Sequence, residues 1–315
     1  MNNLLSKPRK WKNKAVMFKL ETAYGVDATP TGAVNWIEAR NVSLTPMDND
    51  KAERNIEMPY MGSSGSVLVS SWAKLSFDVA LATSGSAGVA PKWGPLLLAC
   101  GTAETITATT SVAYNLVSVD QLSVSAYINI DGVLHKLFGV RGSVKGNMAA
   151  KGTGKMSFSF DANYLTPIAQ DMPTVIRTGW QIEEGINSKN TGPASIGGVD
   201  LAFSTFDWDF GNKIARNDLP GPQREVSITD RTPTAGITVL APSLDVFNPF
   251  LLAETSAVVP LSCTHGSAAG KQIQTDLQTR ITNVEYDNID GLLAYKLTLE
   301  PLPVDGNDEI ALTLL

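Results

Sequence analysis

Alternation of apolar and polar residues with a period of two runs through almost the whole chain. This is the spacing of β-strands, in which successive side chains point to opposite faces of a sheet. Glycine turns such as Asp131-Gly132 and Asp290-Gly291 separate the alternating runs. The apolar positions of the clearest runs are Val67, Val69, Ala73, Leu75, Phe77, Val79 and Leu81; Leu122, Val124, Ala126, Ile128 and Ile130; Met156, Phe158, Phe160 and Ala162; and Leu293, Tyr295, Leu297 and Leu299. The pattern predicts an all-β chain built as antiparallel sandwiches or barrels.

Three sequence patterns occur twice, in the same order. The matched segments are Val42-Ser43-Leu44 with Phe206-Asp207-Trp208, Trp93–Gly101 with Phe247–Thr255, and Met156–Phe160 with Tyr295–Leu299. The middle pair reads as a short apolar helix with proline in its first turn, where the missing N–H costs nothing. The matched segments lie closer together in the second copy than in the first. We therefore predict two tandem β modules, each with one short helix, the second shorter than the first.

The length of the chain suits this duplication. At 315 residues it exceeds the usual range of a single core. We expect a first module over residues 1–172 and a second, diverged module over residues 173–315, with the linker near residues 171–190. Two segments fit no compact sandwich: a basic N-terminal arm over residues 1–19 and a long polar loop over residues 48–66.

Charge and targeting signals exclude several functions. The formal net charge is −6 and the pI is near 5.0, which argues against a protein that grips nucleic acid through surplus lysine and arginine. The basic arm has no apolar core after it, so we expect no secretory signal. No run approaches the roughly 18 apolar residues that span a bilayer. Cys100 and Cys263 fall at non-equivalent places, so we expect no disulfide.

Catalytic motifs are poorly matched. Lys151–Met156 has methionine where a phosphate loop needs serine or threonine, and it reads as a glycine-rich turn. Gly62–Ser66 is no nucleophile elbow, because no strand immediately precedes it. Asp207 and Asp209 flank Trp208 and read as solvent-facing positions of a strand. The two histidines have no second ligand at metal spacing. We expect no enzyme, no metal and no cofactor.

The segment Glu21–Pro30 closely resembles the opening of the major tail (tail tube) proteins of long non-contractile-tailed bacteriophages and prophages, of the Mu-like and lambda-like siphophage type. The motif residues are Glu21, Tyr24, Gly25, Asp27 and Pro30. Further segments similar to that family are Pro91–Gly101, Asp131-Gly132, Gly139–Gly142 and Thr229–Pro233. Each segment is short, and their common order carries the resemblance over most of the chain.

The resemblance implies a structural virion protein of the tail, synthesised and assembled in the host bacterial cytoplasm. Its subunits would polymerise into stacked rings and form the conduit through which genome DNA is ejected. The implied partners are further copies of the chain and the tape measure, tail tip and tail terminator proteins. Double-stranded DNA would pass through the bore without sequence-specific binding, and no membrane is involved.

Two expectations concern assembly. The candidate contacts between stacked rings lie in the long loop, at Arg54, Asn55, Ile56, Glu57, Met58, Pro59, Tyr60 and Met61. Because relatives with one module per chain are expected to form six-membered rings, two modules per chain favour a ring of three chains; a hexamer with the second half outside the wall is the alternative. The competing function is a tandem β-sandwich adhesin or carbohydrate-binding protein, which would explain the β content but not the shared tail-tube motifs.

Overall fold

The computed structural model describes residues 8–315 and confirms an all-β chain with short helices. Up to residue 169 the elements are β1 (Lys14–Leu20), α1 (Gly32–Asn35), β2 (Arg40–Glu53), β3 (Ser66–Ala80), α2 (Gly94–Leu98), β4 (Thr102–Thr107), β5 (Ser111–Leu116), β6 (Val124–Ile130), β7 (Val133–Ala149), β8 (Lys155–Asn163) and β9 (Ile168–Ala169). From residue 191 they are β10 (Thr191–Ile196), β11 (Val199–Leu201), β12 (Phe203–Asp209), β13 (Asn212–Asp218), β14 (Arg224–Arg231), β15 (Thr234–Leu240), α3 (Pro249–Glu254), β16 (Val258–His265), β17 (Ile273–Ile289), β18 (Leu292–Pro301) and β19 (Ile310–Leu314).

The same strand order occurs in both halves. In the first half, antiparallel pairing runs β2-β3-β8-β7-β6-β1. In the second half it runs β12-β15-β18-β17-β16-β10. The two long strands β7 and β17 occupy equivalent places: β7 pairs with β6 and further along with β8, as β17 pairs with β16 and further along with β18. The helices α2 and α3 follow the equivalent strands β3 and β15.

The registers align the two copies residue by residue. Leu44 and Phe160 lie opposite the same residue of β3, and Trp208 and Leu299 lie opposite the same residue of β15. Leu44 therefore corresponds to Trp208, and Phe160 corresponds to Leu299. These are the same correspondences that the matched sequence segments have, 42–44 with 206–208 and 156–160 with 295–299. The similarity in sequence pattern therefore coincides with an equivalence in topology.

One continuous sheet joins the two halves. β12 pairs with the C-terminal part of β7, from Thr205 opposite Ala149 to Asp209 opposite Lys145. At this junction Gly146 lies opposite Trp208, where a Cβ would come within 2.1 Å of the indole ring. The resulting eight-stranded sheet runs β2-β3-β8-β7-β12-β15-β18-β17. A second connection pairs β5 with β19.

Burial of alternate residues on one face of this sheet forms the core. Phe77, Phe158 and Phe160 form a cluster with centroid separations of 5.7–5.9 Å. Trp208 stacks on Phe210 at 5.3 Å. Most buried apolar residues of both halves form one contiguous cluster, and Met17, Tyr127 and Leu134 form a small separate one. Hydrophobic burial therefore stabilises the two halves together as well as separately.

Both segments that the sequence predicted to be irregular are shorter in the structure than predicted. The arm prediction was wrong for residues 14–19, because these residues lie in β1, which pairs along its whole length with β6 and is buried at Ala15–Phe18. The predicted loop over residues 48–66 was too long, because Asp48–Glu53 continues β2 and pairs with Ser66–Trp72. A third short helix, α1, adds to the two predicted. Residues 1–7 of the arm lie outside the described residues.

Candidate assembly surfaces

The Glu21 carboxylate ties the loop after β1 to two neighbouring strands. It accepts hydrogen bonds from the Gly25 N–H at 2.8 Å and from the Ser123 hydroxyl at 2.6 Å. It also accepts from the Ser125 hydroxyl at 3.0 Å and from the Gly139 N–H at 2.9 Å. Gly25 turns the chain with φ +75°, a conformation that glycine adopts without strain. Glu21 and Gly25 thus fix the loop on β6 and β7.

Asp27 and Pro30 complete the same loop. Asp27 accepts hydrogen bonds from the Tyr127 hydroxyl and from the Thr29 N–H, and Lys136 Nζ lies 3.6 Å away. Burial alone would raise the pKa of Asp27, but these hydrogen bonds and the Lys136 charge together lower it. Pro30 is buried. Together these contacts anchor the C-terminal end of the loop on β6.

Tyr24 connects this loop to the second half of the chain. Its phenol oxygen accepts a hydrogen bond from the buried N–H of Val226 on β14 at 2.6 Å, and a longer one from Asn163 at 3.3 Å. The Arg141 guanidinium lies 5.0 Å from the centre of the Tyr24 ring. Burial raises the pKa of Tyr24. The segment Glu21–Pro30 is therefore a structural loop that contacts both its own half and part of the other.

The two-stranded ribbon β13–β14 lies against one end of the first half. Arg141 on β7 forms an ion pair with Glu225 on β14 at 2.6 Å. Arg216 on β13 contacts Asp161 on β8, with Nε 3.0 Å from Oδ1, and Asp48 at 2.8 Å. Sequence reasoning missed these charges, because an isolated arginine carries no signal for a carboxylate 84 or 55 positions away.

Two strand edges of the eight-stranded sheet have no partner within residues 8–315. One is the outer edge of β2, and the other is the outer edge of Asn283–Ile289 in β17. On the latter, Tyr286 is 67% exposed and lies against Phe250 and Tyr295 with centroid separations of 5.8 and 5.9 Å. Unpaired edges are ready to accept a strand from another chain.

The face of the sheet opposite the core is polar. It carries serines, threonines and asparagines between its charged residues. Four lysines on or beside this face are each paired with a carboxylate, in the pairs Lys74–Asp48, Lys145–Asp209, Lys155–Asp78 and Lys296–Glu285, at 2.9–3.4 Å. Asp207 and Asp287, in contrast, form no ion pair with any described residue. Each of these four lysine charges is therefore neutralised by a neighbouring carboxylate.

The residues predicted to contact a stacked ring lie at the tip between β2 and β3. Residues 54–65 connect the strands, and Arg54–Met61 is exposed except for Met58, which is half-buried. Tyr60 is 69% exposed and the Met61 side chain has no neighbours that cover it. These eight residues are consecutive and lie in the exposed connection that directly follows β2, one of the two strands with a free edge.

Other kinds of site find little support in the described part of the chain. No group of three or more His, Cys, Asp or Glu side chains there is placed to hold a metal ion. Cys100 and Cys263 are free and buried. Among residues 8–315, no helix is long and apolar enough to cross a membrane.

Free strand edges, an exposed ribbon tip and a large polar sheet face are features suited to contacts with other chains. The chain belongs to the family of phage tail tube proteins, because the family model described as "Phage tail tube protein" matches residues 11–314. It is a structural tail tube protein, a component of the phage tail that associates with itself and with other tail proteins. No curated protein matches the chain.

Proposed function

We propose that the protein polymerises into stacked rings of three chains each, and that the stack is the conduit for genome DNA. The observation that carries this proposal is the junction between β12 and β7 inside one chain. The two strands of this junction have equivalents elsewhere in the chain: β2 is equivalent to β12, and the C-terminal part of β17 is equivalent to that of β7. The outer edges of both are free among the described residues. Pairing β2 of one chain with β17 of the next would repeat the same junction around the ring.

The internal equivalence predicts the register of this contact between chains. Trp208 on β12 corresponds to Leu44 on β2, and Gly146 on β7 corresponds to Tyr286 on β17. Since Trp208 lies opposite Gly146 within the chain, Leu44 of one chain would lie opposite Tyr286 of the next. By the same conversion, Ser43 would lie opposite Asp287. The exposed tyrosine would be covered, and the backbone groups of both edges would be hydrogen-bonded.

Two modules per chain and three chains give six positions around the ring. We assign residues 1–172 to the first module and residues 173–315 to the second. The pairing of β12 with β7 supports this count, because it puts the second half into the same sheet as the first. A hexamer would instead require the second half to lie outside the wall.

The polar face of the eight-stranded sheet lines the bore in this arrangement, because the opposite face is filled by the core. DNA has to pass without being held, and a wall of unpaired lysines would bind it by releasing counterions. The four paired lysines, with Asp207 and Asp287 free of cations, support passage of duplex DNA without sequence-specific binding.

The tip residues Arg54–Met61 are our candidates for contacts with the next ring. The tape measure, tail tip and tail terminator proteins are the further partners we propose, with assembly in the host cytoplasm and a final place in the virion tail. The role is structural and not catalytic. No observation favours a tandem adhesin or carbohydrate binder.

Helical reconstruction of tubes from the purified protein tests the proposal. We expect threefold rings with approximate sixfold symmetry, and β2 of one chain paired with β17 of the next. Rings of six identical chains, with residues beyond about 190 wholly outside the wall, would contradict it.

A further inference from the structure

The ribbon β13–β14 has a counterpart in the first half of the chain. Continuing the register along the paired strands matches Asn212–Asn217 with residues 49–54, and Arg224–Arg231 with residues 64–71. An irregularity in pairing occurs at the same place in both ribbons, after Lys213 and after Asp50. Because strand order, register and bulge all agree, residues 49–54 and 64–71 are the same structural element as β13–β14.

The surface that β13–β14 covers also has a counterpart, in the second half. Arg141 lies opposite Asp161 in the first half, and Arg280 lies opposite Glu300 at the equivalent place in the second. The Arg141 side chain is only 10% exposed because the ribbon lies on it. The Arg280 side chain is 36% exposed, and its guanidinium pairs with Glu300, with Nε 3.1 Å from Oε2. The second platform is thus formed but more open.

The apolar residues agree with this match. Ile228 on β14 contacts the first half beside Gly101, just after α2. Its counterpart Leu68 is 49% exposed, and the neighbouring Val67 and Val69 are 55% and 65% exposed. On the second half, Leu251 in α3 and Val258 just after it are also exposed. Contact between the two sets would remove apolar surface from water on both sides.

We propose that the ribbon formed by residues 49–54 and 64–71 lies on the Arg280–Glu300 platform of the next chain in the same ring. The partner is a second copy of this chain, and the proposal rests on the ring described above. Glu53 is the counterpart of Arg216, so it lies over the platform and pairs with Arg280 of the neighbour. Each junction is then covered by a ribbon, from the same chain in one case and from the adjacent chain in the other.

This placement divides the residues 48–66 segment into two parts. The strands of the ribbon, which include Arg54, serve the contact within the ring, so Asn55–Met61 remain the candidates for contact with the next ring. The connection that remains, residues 55–63, is nine residues long, against six residues, 218–223, at the equivalent positions of the second half. The longer tip extends beyond the platform, and it is the part available to the next ring.

A cysteine pair tests the inference. The native Cys100 and Cys263 are buried, so a short bismaleimide reacts at introduced cysteines. In tubes of the variant Glu53→Cys with Glu300→Cys, we expect covalent dimers and then trimers, with the ladder ending at three chains because the ring closes. The matched control is Arg216→Cys with Asp161→Cys, the equivalent pair inside one chain, which should react without joining chains.

The possible outcomes separate this inference from the ring proposal. A ladder that ends at six chains keeps the ribbon contact and overturns the count of three. A ladder that grows without limit overturns the ribbon contact within the ring, since only contacts between rings continue along the tube. Threefold tubes without any covalent dimer, while the control pair reacts, overturn the ribbon contact and leave the ring intact.

A second measurement uses the unmodified protein, in case the cysteine variant does not assemble. Carbodiimide joins amines to carboxylates in direct contact, and mass spectrometry identifies the joined peptides. Lys51 is two positions from Glu53 on the same strand, so both side chains lie on the ribbon face that meets the platform. We therefore expect a link between Lys51 and Glu300 in tubes that is absent from free subunits. The Lys145–Asp209 pair, 2.9 Å apart, calibrates the reaction. Detection of that pair without the Lys51 link would overturn the inference.

Discussion

At the scale of single residues, the hydrogen bond to the Tyr24 oxygen is the contact whose loss is easiest to isolate. The Tyr24 oxygen accepts the buried N–H of Val226 across the two halves at 2.6 Å. Tyr24→Phe keeps the ring and removes the acceptor, so the N–H is left unsatisfied at a cost of about 1–3 kcal/mol. We expect a lower melting temperature of the free subunit by calorimetry. Tyr60→Phe, at an exposed position, is the control; equal losses in both variants would contradict the role of Tyr24.

Asp27 makes part of the stability dependent on pH. Its pKa is lowered in the folded state, so its stabilising contribution is present above the ordinary value of 3.8 and is lost as the pH falls through the folded value. Asp27→Asn should therefore reduce the urea midpoint at pH 7 and flatten its decline in acid. Urea titrations of both proteins from pH 7 downward measure this. Parallel curves would show that Asp27 does not contribute.

At the scale of elements, the tip between β2 and β3 can be separated from its ribbon. Replacing residues 55–63 with the shorter connection 218–223 keeps both strands and removes Ile56, Tyr60 and Met61. Because the ribbon contact within the ring is kept, we expect folded, soluble subunits that form rings but do not elongate into tubes. Negative-stain microscopy distinguishes the two states. Tubes of normal length would contradict a stacking role for the tip.

A control variant separates chemistry from length at the same tip. Tyr60→Ser with Met61→Ser keeps all nine connecting residues and removes two of the exposed apolar side chains. If apolar contacts carry the stacking, this variant should also give short stacks. If only the length matters, it should give normal tubes.

The elements themselves were predictable where burial is one-sided. Strands such as β3 and β8 alternate because one face meets the core and the other meets solvent. The rule fails for Asp48–Glu53, a ribbon exposed along much of both faces, and for Ala15–Phe18, which is buried on both faces. The Glu21–Pro30 motif was recognisable as a family resemblance, whereas Arg141, Asp161, Arg216 and Glu225 meet only after the two halves are in contact.

At the scale of the whole molecule, the charge of the polar sheet face would determine whether the proposed bore retains DNA. Asp207→Lys with Asp287→Lys would place two unpaired cations on this face in each chain. Each phosphate neutralised releases counterions, so we expect mutant tubes to retain duplex DNA at low salt and to release it at high salt. Fluorescently labelled duplex, incubated with tubes and then pelleted, measures retention.

The control for this prediction changes charge elsewhere. Asp305→Lys lies in an exposed turn outside the sheet and should leave retention unchanged in a tube. Equal retention by both variants would show that binding occurs on the exterior. Retention by the unmodified tube would contradict a bore that leaves DNA free.

The pairing of β12 with β7 inside one chain has a consequence for how one proposed ring can be placed on the next. In the proposed ring of three chains, covalent continuity would fix the alternation of the two modules, so the upper rim would present two kinds of surface in turn. Only one of them bears the nine-residue tip. A second ring can then seat in three equivalent rotational settings, about 120° apart, where six identical modules would offer six. The number of equivalent settings between two rings would thereby be fixed by the sequence of one chain, before any two subunits meet.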